Sequence, residues 1–312
     1  MKNSLLLYFS AILASIGLFA SDFPATERQM TLPPEATDVS VLKWQNGALI
    51  GFHSGEQSVL LVHQPEKNAA KTRRISIPGV AKLNIGDVSR SADGRFAVAA
   101  SASQDSGAPG SYILWMTSDL EVERVVKTSP FAAMRICFAS DGKLWAAGRL
   151  HGADFKEVLG HDVLRRFNSD GSLEASALPA NSFPVAVEMG HPAELSQLVA
   201  GTGKVGFYSA TRNEWVEVSL SGKILGRWTG IPVGADLMSG AAITPSGAAY
   251  VSAQYSAKNA NGKPGQVVYR LDKATGAWHE LHASGPRMLF GVDAGFAVVG
   301  EKPPELAWAR LE

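Results

Sequence analysis

The sequence predicts an all-β chain, a six-bladed β-propeller of four-stranded blades. Three observations carry that expectation. A polar turn ending in glycine and followed by an apolar strand recurs six times, at Gly47, Gly94, Gly142, Gly203, Gly247 and Gly295. A proline precedes each of these hairpins, at Pro34, Pro78, Pro130, Pro184, Pro232 and Pro286. Between the markers the chain reads as short runs of Val, Ile, Leu, Phe, Tyr and Trp bounded by Gly, Asp, Asn and Pro.

Each marker has a physical reason. A two-residue hairpin turn needs a backbone with positive φ, which glycine adopts without steric cost. The Asn, Asp and Ser residues just before these glycines suit the same turns. Proline cannot donate to a strand ladder, so it falls where the chain crosses from one sheet to the next. The glycine spacings are 47, 48, 61, 44 and 48. Four strands per repeat at that period is a blade signature. In the second unit the predicted strands are Leu83–Ser89, Phe96–Ser101, Ser111–Met116 and Leu120–Val126.

The two ends of the chain predict how the ring closes. The last unit shows Met288–Asp293, Phe296–Gly300 and Leu306–Leu311, then stops one strand short. The segment Arg28–Pro33 resembles the fourth strand of the first unit, Arg73–Pro78, and supplies the missing strand. Closure of this kind removes the open sheet edges of an unclosed array.

Composition narrows the setting. The chain has 312 residues, 46% of them hydrophobic, with 29 basic and 29 acidic side chains. A neutral chain has no global attraction for nucleic acid, and the one basic run, Lys71, Arg73 and Arg74, reads as a solvated strand face. Nucleic acid is therefore not an expected partner. Residues 1–20 read as a signal peptide: Lys2, an apolar run from Leu5 to Phe19, then Ala20 before Ser21 and Asp22. At about 15 residues the run is shorter than the roughly 20 that span a bilayer. The expectation is a periplasmic or secreted protein, residues 21–312 forming one domain, with no stable membrane insertion after cleavage. Cys137 is the lone cysteine, lies in an apolar run, and reads as a buried structural thiol. The seven tryptophans fall mostly within strand runs and read as packing between blades.

Hairpins such as Asp141-Gly142-Lys143-Leu144-Trp145-Ala146-Ala147 resemble the repeats of six-bladed propellers of the NHL and SMP-30/gluconolactonase type. The resemblance covers the mature chain as architecture. In the lactonase-type members of that group, acidic and amide side chains in the channel hold a divalent metal. The resemblance places Asp236 near such a ligand position, although Gly234-Ala235-Asp236-Leu237 departs from the Pro-Asp-Gly context of that group.

Candidate functional residues follow from the architecture. Near the starts of the innermost strands lie Asp38, Asp87, Arg135, Glu188, Asp236 and Arg287, one per blade. Carboxylates converging on a channel mouth can hold Ca²⁺ or another divalent metal through oxygen, and arginines can clamp carboxylate or phosphate groups. Connections between second and third strands share a face with those between blades. Four of these are long: Gln104–Gly110, Leu150–His161, Asn181–Ser196 and Ser256–Gly265. Long loops on one face of a rigid scaffold are where binding usually resides. His151, His161 and His191 fall in two of them, and three imidazoles can take a transition metal.

No G-x-S-x-G elbow, H-E-x-x-H pair, P-loop or dinucleotide fingerprint occurs. The string Gly201-Thr202-Gly203-Lys204 leads into a strand and reads as a hairpin turn. The expected function is a binding or scaffold protein that presents its long-loop face to a protein, peptide or glycan. The alternative is a metal-dependent hydrolase of small esters or lactones at the channel mouth.

Overall fold

The computed structural model describes residues 21–22, 26–32, 41–53, 58–104, 109–152, 158, 160–183, 196–231, 237–255, 265–282, 288–293, 296–300 and 305–311. A two-residue strand β1 (Ser21–Asp22) and strand β2 (Thr26–Thr31) come first. Blade 1 is β3 (Val41–Gln45), β4 (Ala48–His53), β5 (Val59–Gln64) and β6 (Ala69–Arg74). Blade 2 is β7 (Val80–Arg90), β8 (Phe96–Gln104), β9 (Pro109–Met116) and β10 (Val122–Lys127). Blade 3 is β11 (Phe131–Phe138), β12 (Leu144–Leu150), β13 (Asp162–Phe167) and β14 (Leu173–Pro179). Blade 4 is β15 (Gln197–Gly201), β16 (Lys204–Ser209), β17 (Glu214–Ser219) and β18 (Ile224–Thr229). Blade 5 is β19 (Leu237–Ile243), β20 (Ala249–Tyr255), β21 (Gly265–Asp272) and β22 (Ala277–His282). Blade 6 is β23 (Met288–Asp293), β24 (Phe296–Gly300) and β25 (Glu305–Arg310), completed by β2.

The pairing is antiparallel within every blade, and β2 pairs with β25 as the sequence predicts. Arg310 Nε donates to Glu27 Oε1 at 2.8 Å across that pair, and the Arg28 guanidinium lies 4.7 Å over the Trp308 ring. The short strand β1 was not expected. It runs parallel to β22 and adds a fifth strand to the outer edge of blade 5.

The first strands of successive blades touch one another in the series β7, β11, β15, β19, β23, β3, and β4 touches β7. That series closes the ring. Packing follows the same order, because six apolar clusters fill the six seams between neighbouring blades. A strand inside the blade such as β4 is thus buried on both faces, which is why it reads as an unbroken apolar run and not as an alternation. At the closing seam Trp44 meets Trp308 edge-on, ring centroids 5.3 Å apart. All seven tryptophans lie in strands. Cys137 is buried in the seam between blades 3 and 4, and burial pushes its thiol pKa up.

Five of the six marker glycines have φ between +70° and +92°; Gly295 lies outside the described residues. Pro78 and Pro130 sit between the last strand of one blade and the first of the next. The four strands predicted in blade 2 are all present, with one difference at Leu120. It belongs to the turn before β10, has φ +65° and is fully packed. Its N–H donates to Thr117 O at 3.1 Å, so an apolar turn anchor looked like the first residue of a strand. Two charges of the Lys71–Arg74 run are met from blade 2, where Lys71 pairs with Asp119 at 2.7 Å and Arg73 with Glu121 at 2.6 Å.

Four innermost strands carry a β-bulge at a similar place, between Ile85/Asp87, Ala133/Arg135, Met238/Gly240 and Leu289/Gly291. A bulge adds an unpaired residue and re-aims the side chains that follow it. The residue after the bulge faces the next blade closely. A Cβ at Gly240 would lie 2.0 Å from Leu289 O, and one at Gly291 would lie 2.4 Å from Trp44 O. These glycines let the inner strands of blades 5, 6 and 1 approach within a distance that alanine forbids.

Candidate functional site: a cleft between blades 3 and 4

Asp87 and Arg135 occupy equivalent positions, each directly after the bulge of its inner strand. Their environments differ. Asp87 is 1% exposed. Its Oδ1 accepts from Lys43 Nζ of blade 1, and its Oδ2 accepts from the Ile136 N–H of blade 3 at 2.8 Å. Ser89, two residues on, accepts from the Phe138 N–H at 3.0 Å. Asp87 therefore ties three blades together, and both of its oxygens are engaged by the protein. The bulge turns it from the channel into the seam, which strand alternation alone does not reveal.

Arg135 is held just as firmly but lines open space. Its Nε donates to Ser196 O at 2.7 Å. Its Nη1 donates to Gly86 O at 3.1 Å and to Met134 O at 2.8 Å. All three partners are backbone carbonyls, and among the described residues no carboxylate meets its charge. The guanidinium lines a cleft between blades 3 and 4 that holds about 510 Å³ of empty space, part of it open to solvent.

Three pieces of chain form this cleft. Blade 3 contributes Met134, Arg135, Ala147, Gly148, Arg149 and Val163. Blade 4 contributes Phe207 and Ser209 from β16, with Thr211 and Arg212 from the turn after it. Ala180, Phe183 and Ser196 come from the two ends of the long connection between these blades. The lining carries three guanidiniums and no carboxylate among the described residues. Phe183 and Phe207 meet edge-on at 6.4 Å and are buried in the seam cluster that backs the cleft. Ser196 Oγ accepts from the Ala210 N–H at 3.1 Å, which fixes the start of blade 4 against its second strand. Gly148 matters locally: a Cβ there would lie 2.1 Å from Ala132 O, so β12 passes the bulged β11 closer than alanine allows.

The remaining predicted residues are placed as follows. His151 lies at the end of β12, its N–H donating to Pro130 O at 3.1 Å. His161 is buried beside the start of β13, with Nδ1 against Val158 O and, among the described residues, no hydrogen-bond partner at Nε2. Asp38, Glu188, Asp236, Arg287 and His191 lie outside the described residues. So do the middles of the four long connections, at 105–108, 153–157 with 159, 184–195 and 256–264. Among the described residues no three His, Cys, Asp or Glu side chains converge as a metal site. The Gly201–Lys204 string is a hairpin turn between β15 and β16.

Arg149, Arg212, Phe183 and Phe207 were not anticipated as site residues. Arg149 sits at the foot of the Leu150–His161 loop, and Phe183 lies inside the Asn181–Ser196 connection. Arg212 lies in a short connection between second and third strands, the same register as the long ones. Register, and not loop length, was the signal that could have found it.

No protein-family model matches the sequence, of the NHL or gluconolactonase type or any other, and no curated protein matches it. Solved structures do match. A Bacteroides caccae protein of unknown function is 11% identical, with a TM-score of 0.51 over 84% of this chain and 83% of that one. A luciferin-regenerating enzyme is 10% identical, with a TM-score of 0.51 over 91% of this chain and 96% of that one. A glucose dehydrogenase is 14% identical, with a TM-score of 0.50 over 91% of this chain and all of that one. Likeness at such identities establishes the shared propeller fold, which hosts many unrelated activities.

Proposed function

We propose that this chain is an exported binding propeller whose ligand is held in the cleft between blades 3 and 4. One observation carries the reading. The foot of the 150–161 segment and both ends of the 181–196 connection line one cleft, which three arginines and two phenylalanines finish. A rigid scaffold with the ends of long connections gathered at a concave cleft lined by arginine and apolar side chains supports ligand binding. Export rests on residues 1–20, whose charge, apolar run and small residue before Ser21 fit a cleaved signal. Among the described residues no helix is long and apolar enough to cross a membrane.

The experiment is a loop replacement. Residues 152–159 are replaced by two glycines, and the mature chain and the variant are both screened on peptide and glycan arrays. Shortening a surface loop changes closure entropy by only about 0.6 kcal/mol per halving, and removing Val158 costs buried His161 its Nδ1 partner, about 1–3 kcal/mol, so the variant should still melt in one transition within about 10 °C of the parent. The partner bound by the intact chain should be lost. Retained binding by a folded variant would overturn the reading.

A further inference from the structure

Arg135 is bonded as a strut, yet its charge is left open. Its Nε and Nη1 donate to the carbonyls of Ser196, Gly86 and Met134, and its Nη2 makes no hydrogen bond to a described residue. Carbonyl dipoles solvate a cation without neutralising it, and a half-buried charge with no counter-charge is costly. Nη2 therefore still has N–H groups to give. An anchored guanidinium has little rotamer freedom left to lose when a ligand meets it.

The rest of the lining leans the same way. Arg149 and Arg212 bring two further guanidiniums, and Ser196, Ser209 and Thr211 bring hydroxyls. Ser196 Oγ accepts from the Ala210 N–H at 3.1 Å, so its own proton remains to be donated. The Ser209 and Thr211 hydroxyls lie 3.4 Å apart, and a bond between them uses one of their two protons. Among the described residues no Asp, Glu or His lines the cleft, so a metal cation finds neither a carboxylate nor an imidazole there.

We infer that the cleft binds an oxyanion group, a carboxylate or a phosphate, with Arg135 Nη2 donating to it. Arginine pairs with either group through the same planar fork of N–H donors, and the hydroxyls serve either. The inference rests on the cleft being the ligand site. It makes Arg135 a binding residue as well as a strut.

The test is titration calorimetry on the mature chain at pH 7.5 and constant ionic strength. Phenyl phosphate and benzoate are the probes, and benzamide is the neutral comparison on the same ring. At least one anion should bind about tenfold or more tightly than benzamide. Which anion binds more tightly tells a phosphate source from a carboxylate source, and either order supports the inference. Arg135→Gln should weaken that anion by about tenfold or more. Because this variant also cuts the ties to Ser196 and Gly86, Thr211→Glu provides a second reading. It adds a carboxylate to the lining, leaves Arg135 in place, and should weaken the anion by about tenfold. Anions that bind no tighter than benzamide, or anion binding indifferent to Thr211→Glu, would each overturn the inference. If neither anion binds while the 152–159 replacement still abolishes array binding, the oxyanion inference falls and the binding reading stands.

Discussion

Asp87→Ala should remove about 3–5 kcal/mol of stability, the range seen when one partner of a buried ion pair is deleted. The substitution leaves the Lys43 ammonium, 15% exposed, without its carboxylate, and it orphans the Ile136 N–H inside a seam. In a domain of this size the loss corresponds to a drop of about 6–10 °C in melting temperature. Because the carboxylate joins blades 1, 2 and 3, unfolding should remain a single transition, only earlier. The paired change Lys43→Met with Asp87→Leu should recover at least half of the loss, because well-packed apolar residues can replace a buried ion pair at little cost. Chemical denaturation of the three proteins checks this. A loss below about 1 kcal/mol for Asp87→Ala would put the pair with solvent-screened surface bridges and remove its role as a lock.

Glu217→Ala should be comparably severe and should show a distinctive pH dependence. Glu217 is buried, its side chain 4% exposed. Its carboxylate takes Lys204 Nζ and Lys273 Nζ, each at 2.7 Å, and accepts from Trp215 Nε1 at 3.3 Å. Lys204 belongs to blade 4 and Lys273 to blade 5, so the triad pins that seam. Without the carboxylate two ammonium groups face each other in a desolvated site, and a loss of about 3–5 kcal/mol is expected. Burial already lowers the Lys273 pKa, and Glu217 acts against that shift. Removing Glu217 lowers the folded pKa further, so the unfolded state then binds the proton more tightly than the folded state. Stability of the variant should accordingly rise with pH between its depressed folded pKa and the unfolded lysine value near 10.4. The deficit relative to the parent should therefore shrink as pH increases from 7 towards 10. A deficit that is constant across that range would mean that lost packing, and not cation repulsion, dominates.

The fold was legible where local chemistry decides it. Gly47, Gly94, Gly142, Gly203 and Gly247 mark their turns because left-handed backbone is a property of a few residues in a row. The β2–β25 closure was legible because Arg28–Pro33 repeats the pattern of Arg73–Pro78, and matching sequence reflects matching position in a blade. Leu120 shows the limit of that approach. An apolar residue before a strand run is read as strand, whereas here it anchors the preceding turn.

The candidate site was less legible because its geometry depends on neighbours distant in sequence. The bulge at Ile85/Asp87 precedes a carboxylate that bonds β11 at Ile136, and nothing in Leu83–Ser89 announces it. Arg135 was singled out by its place at the start of an inner strand, yet its partner Ser196 is 61 residues away. Arg149 and Arg212 reach the same cleft from different blades, so only the assembled ring brings them together. The seam clusters and the cleft are two uses of the same interface between blades. Where apolar side chains fill it the seam is core, and where Arg135, Arg149 and Arg212 line it the seam opens into a cleft.

The most direct measurement is a crystallographic soak of the mature chain with a library of small neutral and charged fragments. Hits should concentrate between blades 3 and 4, in contact with Arg135 and with the Phe183–Phe207 pair. Hits gathered at the channel mouth or along the outer strands, with that cleft left empty, would contradict the account.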